Sequence, residues 1–209
     1  MREGGPVNSL LMLLMVLAIY GAPVGAAPDA APLPGNSVYQ SPAQLTDSKS
    51  RPFAWASRRG QVQIVSMFYT SCKFVCPMLI DGGKAIEQQL SADERRQLGV
   101  TLISLDPKRD TPAVLARMER ERSLDGSRWT LARPEPKDVR SIAGLLGVRY
   151  RALADGEFNH TTVLVLLDAE GRVVARTERV GGVPDAAFVA AVRRTLADSA
   201  RAGLLPPSS

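Results

Sequence analysis

The stretch Gln61–Leu90, QVQIVSMFYTSCKFVCPMLIDGGKAIEQQL, changes its period halfway along. Gln61–Tyr69 is an apolar, β-branched run and predicts a buried strand. From Pro77 to Leu90 the pattern is helical, with Met78, Leu79, Ala85, Ile86 and Leu90 facing inward. Between them lie the two cysteines of the chain, in Cys72-Lys73-Phe74-Val75-Cys76-Pro77. Where a strand ends and a helix begins, free backbone N–H groups and the helix dipole favour a thiolate. A thiolate is both the nucleophile of disulfide exchange and a soft ligand for Cu(I) or zinc.

Outward from this stretch the alternation continues. Val100–Leu105 predicts a second buried strand. Thr111-Pro112 supplies an N-cap and a first-position proline for a helix reaching about Arg122. Trp129–Leu131 reads as a short strand, and Pro136–Leu146 as a helix stopped at Gly147. Thr161–Leu167 is a strand, Asp168–Gly171 a turn, and Arg172–Thr177 the hairpin partner. Pro184–Ala202 is a final helix with Phe188, Val189, Val192 and Leu196 on one face. This order predicts an α/β sandwich with a mixed central sheet flanked by helices, similar to the thioredoxin fold. The folded domain is expected over residues 37–205, after a Pro/Ala/Gly-rich linker at 28–36.

Composition agrees with one ordinary domain. Of 209 residues, 45% are apolar and 22% charged, which excludes wholesale disorder and collagen-like chains. Two cysteines exclude a disulfide-stapled miniprotein, and one histidine excludes a site needing several imidazoles. The formal charge of +5 comes from arginines scattered along the chain, with only 5% aromatics. Nucleic-acid binding needs basic residues clustered on one face with stacking rings, so no nucleic-acid partner is expected.

The N-terminus reads as an export segment. Leu10–Tyr20 is an unbroken apolar run of 11 residues, followed by Gly21-Ala22-Pro23-Val24-Gly25-Ala26-Ala27. This is the layout of a secretory signal at residues 1–27, cut after Ala26 or Ala27. The run is short of the ~20 apolar residues of a spanning helix. An uncleaved anchor is the alternative, and membrane contact is expected only in that case. In both cases the domain is exported, in the periplasm, free or tethered to the inner membrane, under oxidising conditions.

Two cysteines cannot complete a four-thiolate zinc site. Three intervening residues, instead of two, disfavour thioredoxin-type dithiol catalysis, and Tyr69 stands where a peroxidase motif needs Thr or Ser. A disulfide of purely structural use closes too short a loop to constrain the unfolded chain much. His160 precedes the strand Thr161–Leu167. In a thioredoxin-like sandwich that loop lies beside the first strand–helix junction, where redox thioredoxins carry a cis-proline; here the sequence is Asn159-His160-Thr161-Thr162. Two thiolates and one imidazole suit Cu(I), or Cu(II) with an added oxygen ligand.

Three blocks then carry a family resemblance. Phe68-Tyr69-Thr70-Ser71-Cys72-Lys73-Phe74-Val75-Cys76-Pro77 is similar to the F-x-Y-T-x-C-x-x-x-C-P motif of the Sco/SenC copper-binding proteins. Ser104–Pro112 resembles their S-x-D-P-x-x-D-T-P block, and His160 precedes an apolar strand ending in Asp168-Ala169-Glu170-Gly171. The resemblance covers Leu45 to Leu196. It implies copper held by Cys72, Cys76 and His160. It also implies delivery of copper to, or thiol reduction of, the copper-A subunit of cytochrome c oxidase or another periplasmic copper protein. The glycine common between the two aromatics, and the tyrosine and aspartate frequent just before the histidine, are missing.

The resulting expectation is an exported metallochaperone without ordinary turnover. The rival is a periplasmic thiol–disulfide oxidoreductase in which Cys72 attacks and Cys76 resolves. Asp106 is a candidate to orient a ligand from behind. Asp110 is expected to satisfy the first N–H groups of the Thr111–Pro112 helix. Tyr69 and Phe74 are expected as core and rim, and Met78 as core.

Overall fold

Seven strands form one sheet because the apolar runs can only bury both faces by pairing side by side. In the computed structural model, residues 31–72 and 75–203 are described, without the side chains of Val75 and Cys76. The export segment at 1–27, together with Lys73 and Phe74, lies outside the described residues. The strands are β1 (Gln44–Asp47), β2 (Pro52–Ala54), β3 (Val62–Phe68), β4 (Leu98–Ser104) and β5 (Trp129–Pro134). They continue with β6 (Tyr150–Ala152), β7 (Phe158–His160), β8 (Leu164–Leu167) and β9 (Val173–Thr177). The helices are α1 (Val75–Gln88), α2 (Ala92–Gln97), α3 (Pro112–Glu121), α4 (Val139–Leu145) and α5 (Ala186–Arg201).

The sheet order is β2-β1-β5-β4-β3-β8-β9, and β6–β7 is a separate hairpin. β3 pairs in parallel with β4, and β4 with β5, as crossovers through α1 and α3 require. β8 pairs antiparallel with both β3 and β9. The fold is the expected thioredoxin-like α/β sandwich. Every residue of β3, β4 and β8 is buried, which explains why these strands read as continuous apolar runs and not as alternations.

Several boundaries differ from the sequence expectation. α1 begins at Val75, so Pro77 stands inside the first turn, where its missing N–H was unpaired in any case. With that register Leu79, Ile80 and Ile86 are buried, whereas Met78 is 44% exposed and not core. β8 starts at Leu164, because Thr161 is still tied to the β6–β7 hairpin by its N–H to Arg149 O (2.8 Å). Pro136–Asp138 is a 3-10 turn ahead of α4. Leu33, in the stretch read as linker, packs against the core.

The packing of α1 on β5 turns on one glycine. A Cβ on Gly83 would stand 2.5 Å from the outer ring of Trp129. Trp129 cannot swing aside: its indole N–H donates to the buried Glu87 carboxylate (2.9 Å), which also accepts from Arg128 Nε (3.0 Å). Gly83→Ala therefore costs about 1–3 kcal/mol through overpacking, against the helix preference for alanine. Gly144, exposed on α4 with nothing within 4 Å of its would-be Cβ, behaves oppositely, and Gly144→Ala gains about 0.5–1 kcal/mol. Urea unfolding of both variants against the parent checks the two signs.

Candidate metal centre

The topology brings three chain segments to one edge of the sheet. Because β3 and β4 are parallel, the segments after Phe68 and Ser104 leave side by side, and Leu105 N–H donates to Phe68 O (2.7 Å). Because β8 runs antiparallel to β3, its N-terminal approach from His160 arrives at the same edge. Cys72 follows β3 in a turn closed by its N–H to Tyr69 O (3.3 Å), and Cys76 lies in the first turn of α1. Cys72 is half-buried and packs against the core.

The cysteine turn is pinned from below by a carboxylate. Asp110, 1% exposed, accepts from the Thr70 N–H (3.2 Å), the Thr70 hydroxyl and the Ser104 hydroxyl (2.5 Å). Burial pushes the Asp110 carboxyl up, and these donors pull it back only in part. Asp110 does not cap α3 as expected; the Thr111 hydroxyl accepts from Val114 N–H (3.4 Å) instead. The expected ligand-orienting residue, Asp106, binds Arg109 with its carboxylate. Arg109 in turn donates to Gly156 O in the β6–β7 loop. Asp106 thus reaches the histidine-bearing hairpin through an arginine.

His160 ends β7, paired with Tyr150 of β6. The hairpin turns at Asp155-Gly156, with Gly156 at φ +83° and Asp155 Oδ1 accepting from Glu157 N–H (3.0 Å). Side-chain contacts hold it to the cysteine turn: Ser71 to Glu157 (3.4 Å), and Tyr69 to the Phe158 backbone. The imidazole Nδ1 sits 3.1 Å from Thr161 O, so Nδ1 carries the proton and Nε2 keeps its lone pair. Nε2 is buried and meets no hydrogen-bond partner among the described residues. Burial holds the imidazole below the usual histidine range, hence neutral at pH 7.

Tyr69 joins the two halves. Its ring lies edge-on to His160, with centroids 5.7 Å apart, and its hydroxyl hydrogen-bonds the Cys72 sulfur. Burial, with Cys72 and Glu157 close by, raises the phenol well above its ordinary range. Beside His160 a cavity of about 330 Å³ opens on the hairpin, lined by Arg149, Tyr150, Arg151 and Asn159. Among the described residues no three His, Cys, Asp or Glu side chains gather as a metal-binding group; the Cys76 side chain lies outside them. The structure therefore brings Cys72 and His160 to one residue, Tyr69, and leaves His160 Nε2 without a hydrogen-bond partner among the described residues. The connecting parts Glu157, Arg109 and the hairpin itself were not read from the sequence, although Asp155-Gly156 is a turn signal.

The chain matches the SCO1/SenC family over residues 32–197. A Stutzerimonas stutzeri protein, copper-binding by name, is 35% identical over 72 residues, covering 34% of this chain and 35% of its own length. The mitochondrial protein SCO2 of Saccharomyces cerevisiae is 30% identical over 81 residues, 39% of this chain and 27% of its own. The chain thus spans 35% and 27% of the lengths of these two relatives. Among solved structures, Bradyrhizobium japonicum ScoI with copper bound superposes with a TM-score of 0.62 at 24% identity, over 74% of this chain and 98% of that one. A SCO1/SenC family lipoprotein of Bacillus anthracis gives 0.65 at 22%, over 73% and 91%. The match over 32–197, on a sheet edge that gathers the CxxxC turn and the histidine hairpin, makes the chain a member of the SCO1/SenC family.

Proposed function

We propose that this protein is an exported copper metallochaperone whose site is Cys72, Cys76 and His160, and that it supplies copper to, or reduces the thiols of, the copper-A subunit of cytochrome c oxidase or a similar copper protein. One observation carries the reading: His160 Nε2 is buried, deprotonated and without a hydrogen-bond partner among the described residues, on a hairpin tied to the turn that bears Cys72. A buried nitrogen lone pair left unpaired costs free energy unless something occupies it. A soft cation between two thiolates and this imidazole satisfies that need. Copper in the names of a curated relative and of solved neighbours supports the same reading.

The chemistry follows from the residues. The thiolates are the anionic donors, and the Nδ1–H to Thr161 O bond holds the imidazole in the tautomer that presents Nε2. Oxidation of Cys72 and Cys76 to a disulfide releases two protons and two electrons to a partner disulfide and removes both sulfur donors. Redox state then gates metal loading. Export rests on Leu10–Tyr20 and the small residues after it. Among the described residues no helix is long and apolar enough to cross a membrane.

Three outcomes are expected. Copper titration of the reduced protein, followed by the sulfur-to-copper charge-transfer band, shows binding that Cys72→Ser/Cys76→Ser abolishes. His160→Ala lowers Cu(II) affinity by more than about 100-fold, beyond the 10–100-fold typical of residues behind the ligands, and Cu(I) affinity far less. Equal binding and equal spectra in His160→Ala would favour the oxidoreductase.

Acidification gives the second. The folded His160 pKa lies below the ordinary ~6.5, so the unfolded chain takes up the proton first. Metal-free protein keeps this contribution above pH ~6.5 and loses it as pH falls through the lower folded value. With a single histidine in the chain, the difference between wild type and His160→Ala in stability between pH 7.5 and 5 reads it directly, and it shrinks toward acid. Third, mass spectrometry of periplasmic material finds a chain starting near Ala27 or Pro28; cytoplasmic protein starting at Met1 would remove the export reading.

A further inference from the structure

Tyr69 supplies no metal donor in the proposed site, yet it touches both halves of it. It is 4% exposed. Its hydroxyl donates to Phe158 O (3.2 Å) and accepts from Phe158 N–H (3.4 Å), two backbone groups of one residue. Its ring meets Phe158 edge-on at 5.2 Å and His160 edge-on at 5.7 Å. β7 has only β6 as a strand neighbour, and a two-stranded hairpin is marginal in water on its own. The tyrosine hydroxyl stands where the next strand would offer its N–H and C=O.

Other contacts between hairpin and sheet edge are less direct. Ser71 to Glu157 and Arg109 to Gly156 are exposed, and both act on the turn ahead of Phe158. Tyr69 grips the strand two residues from His160 and reaches the Cys72 sulfur with the same hydroxyl.

We propose that Tyr69 is the positioning residue of the centre: by clamping the Phe158 backbone it sets His160 against the cysteine turn. The inference rests on the copper reading for its purpose and on the clamp geometry for its substance. The imidazole, carried on a two-stranded hairpin outside the main sheet, has its place fixed by this residue and not by the hairpin alone.

Tyr69→Phe tests it, keeping the ring and its packing while leaving Phe158 N–H and C=O unpaired. In the reduced full-length protein, chelator competition is expected to show Cu(II) affinity about 10-fold weaker, with a weakened imidazole contribution to the electron paramagnetic resonance hyperfine pattern. Cu(I), held by the thiolates, is expected to change less than about threefold. In metal-free Tyr69→Phe, amide hydrogens at 158–161 exchange faster than in wild type. Wild-type copper binding, hyperfine pattern and exchange in Tyr69→Phe would overturn the inference. So would a lowered melting temperature with all three unchanged, since that is a core residue and no more. Should wild type bind no copper, or His160→Ala leave its spectra unaltered, the copper reading fails; faster exchange at 158–161 in metal-free Tyr69→Phe still upholds the clamp, and unchanged exchange overturns it.

Discussion

The position of β3, between a parallel and an antiparallel neighbour, decides where chemistry can occur in this molecule. A parallel β4 places the end of one strand beside the end of the next. An antiparallel β8 places the beginning of a third strand beside both. At that edge three connecting segments meet, and a buried strand must release its chain there into less regular backbone. The CxxxC turn, the Asp106–Asp110 loop and the histidine hairpin are the three segments. Removing β8 from its antiparallel register would send His160 to the opposite edge without changing a residue of the site.

Bringing loops to one edge does not hold them there, and polar side chains complete the work. Asp110 is the clearest case. Its carboxylate sits in the core side of the edge, and burial raises its pKa even with Ser104 and Thr70 donating to it. That sign means the ionised form is destabilising at neutral pH and the cost is lifted as the group protonates in acid, opposite to the His160 effect. A neutral residue of the same shape would fold more cheaply. What the carboxylate offers is three acceptor contacts that lock the Thr70 backbone two residues before Cys72.

The parts legible in the sequence were those whose burial is complete. β3, β4 and β8 are buried on both faces, so apolarity alone exposed them, and α3 and α5 announced themselves by the Thr111-Pro112 cap and the Phe188–Leu196 stripe. The β1–β2 hairpin was illegible because its strands are short and one of the two buried positions of β1 is the polar Asp47. α2 shows a full capping box at Ser91 and Glu94 but buries nothing, so it has no period. The site divided the same way. Residue chemistry singled out Cys72, Cys76 and His160, and the structure ties Cys72 to His160 through Tyr69. The hairpin that carries His160 is short and half-exposed, and its stability comes from contacts remote in sequence. Tyr69 reads as a core aromatic because nothing local reveals that its hydroxyl meets residue 158.

The residues of the proposed site sit on elements of different attachment, which bears on release of its cargo. The cysteines belong to the junction of a central strand and a long helix, whereas the histidine belongs to a separate two-stranded hairpin joined to it by side chains. Local opening free energies follow that difference: a half-exposed two-stranded hairpin opens below the cost of global unfolding. A centre whose donors share one rigid element must unfold to let go. One whose third donor rides on a weakly held arm can shed that donor alone, leaving two thiolates open to an incoming ligand. Transfer by stepwise exchange needs that asymmetry, and Tyr69, fixed to the end of β3 and gripping the arm, sits at the boundary between the two.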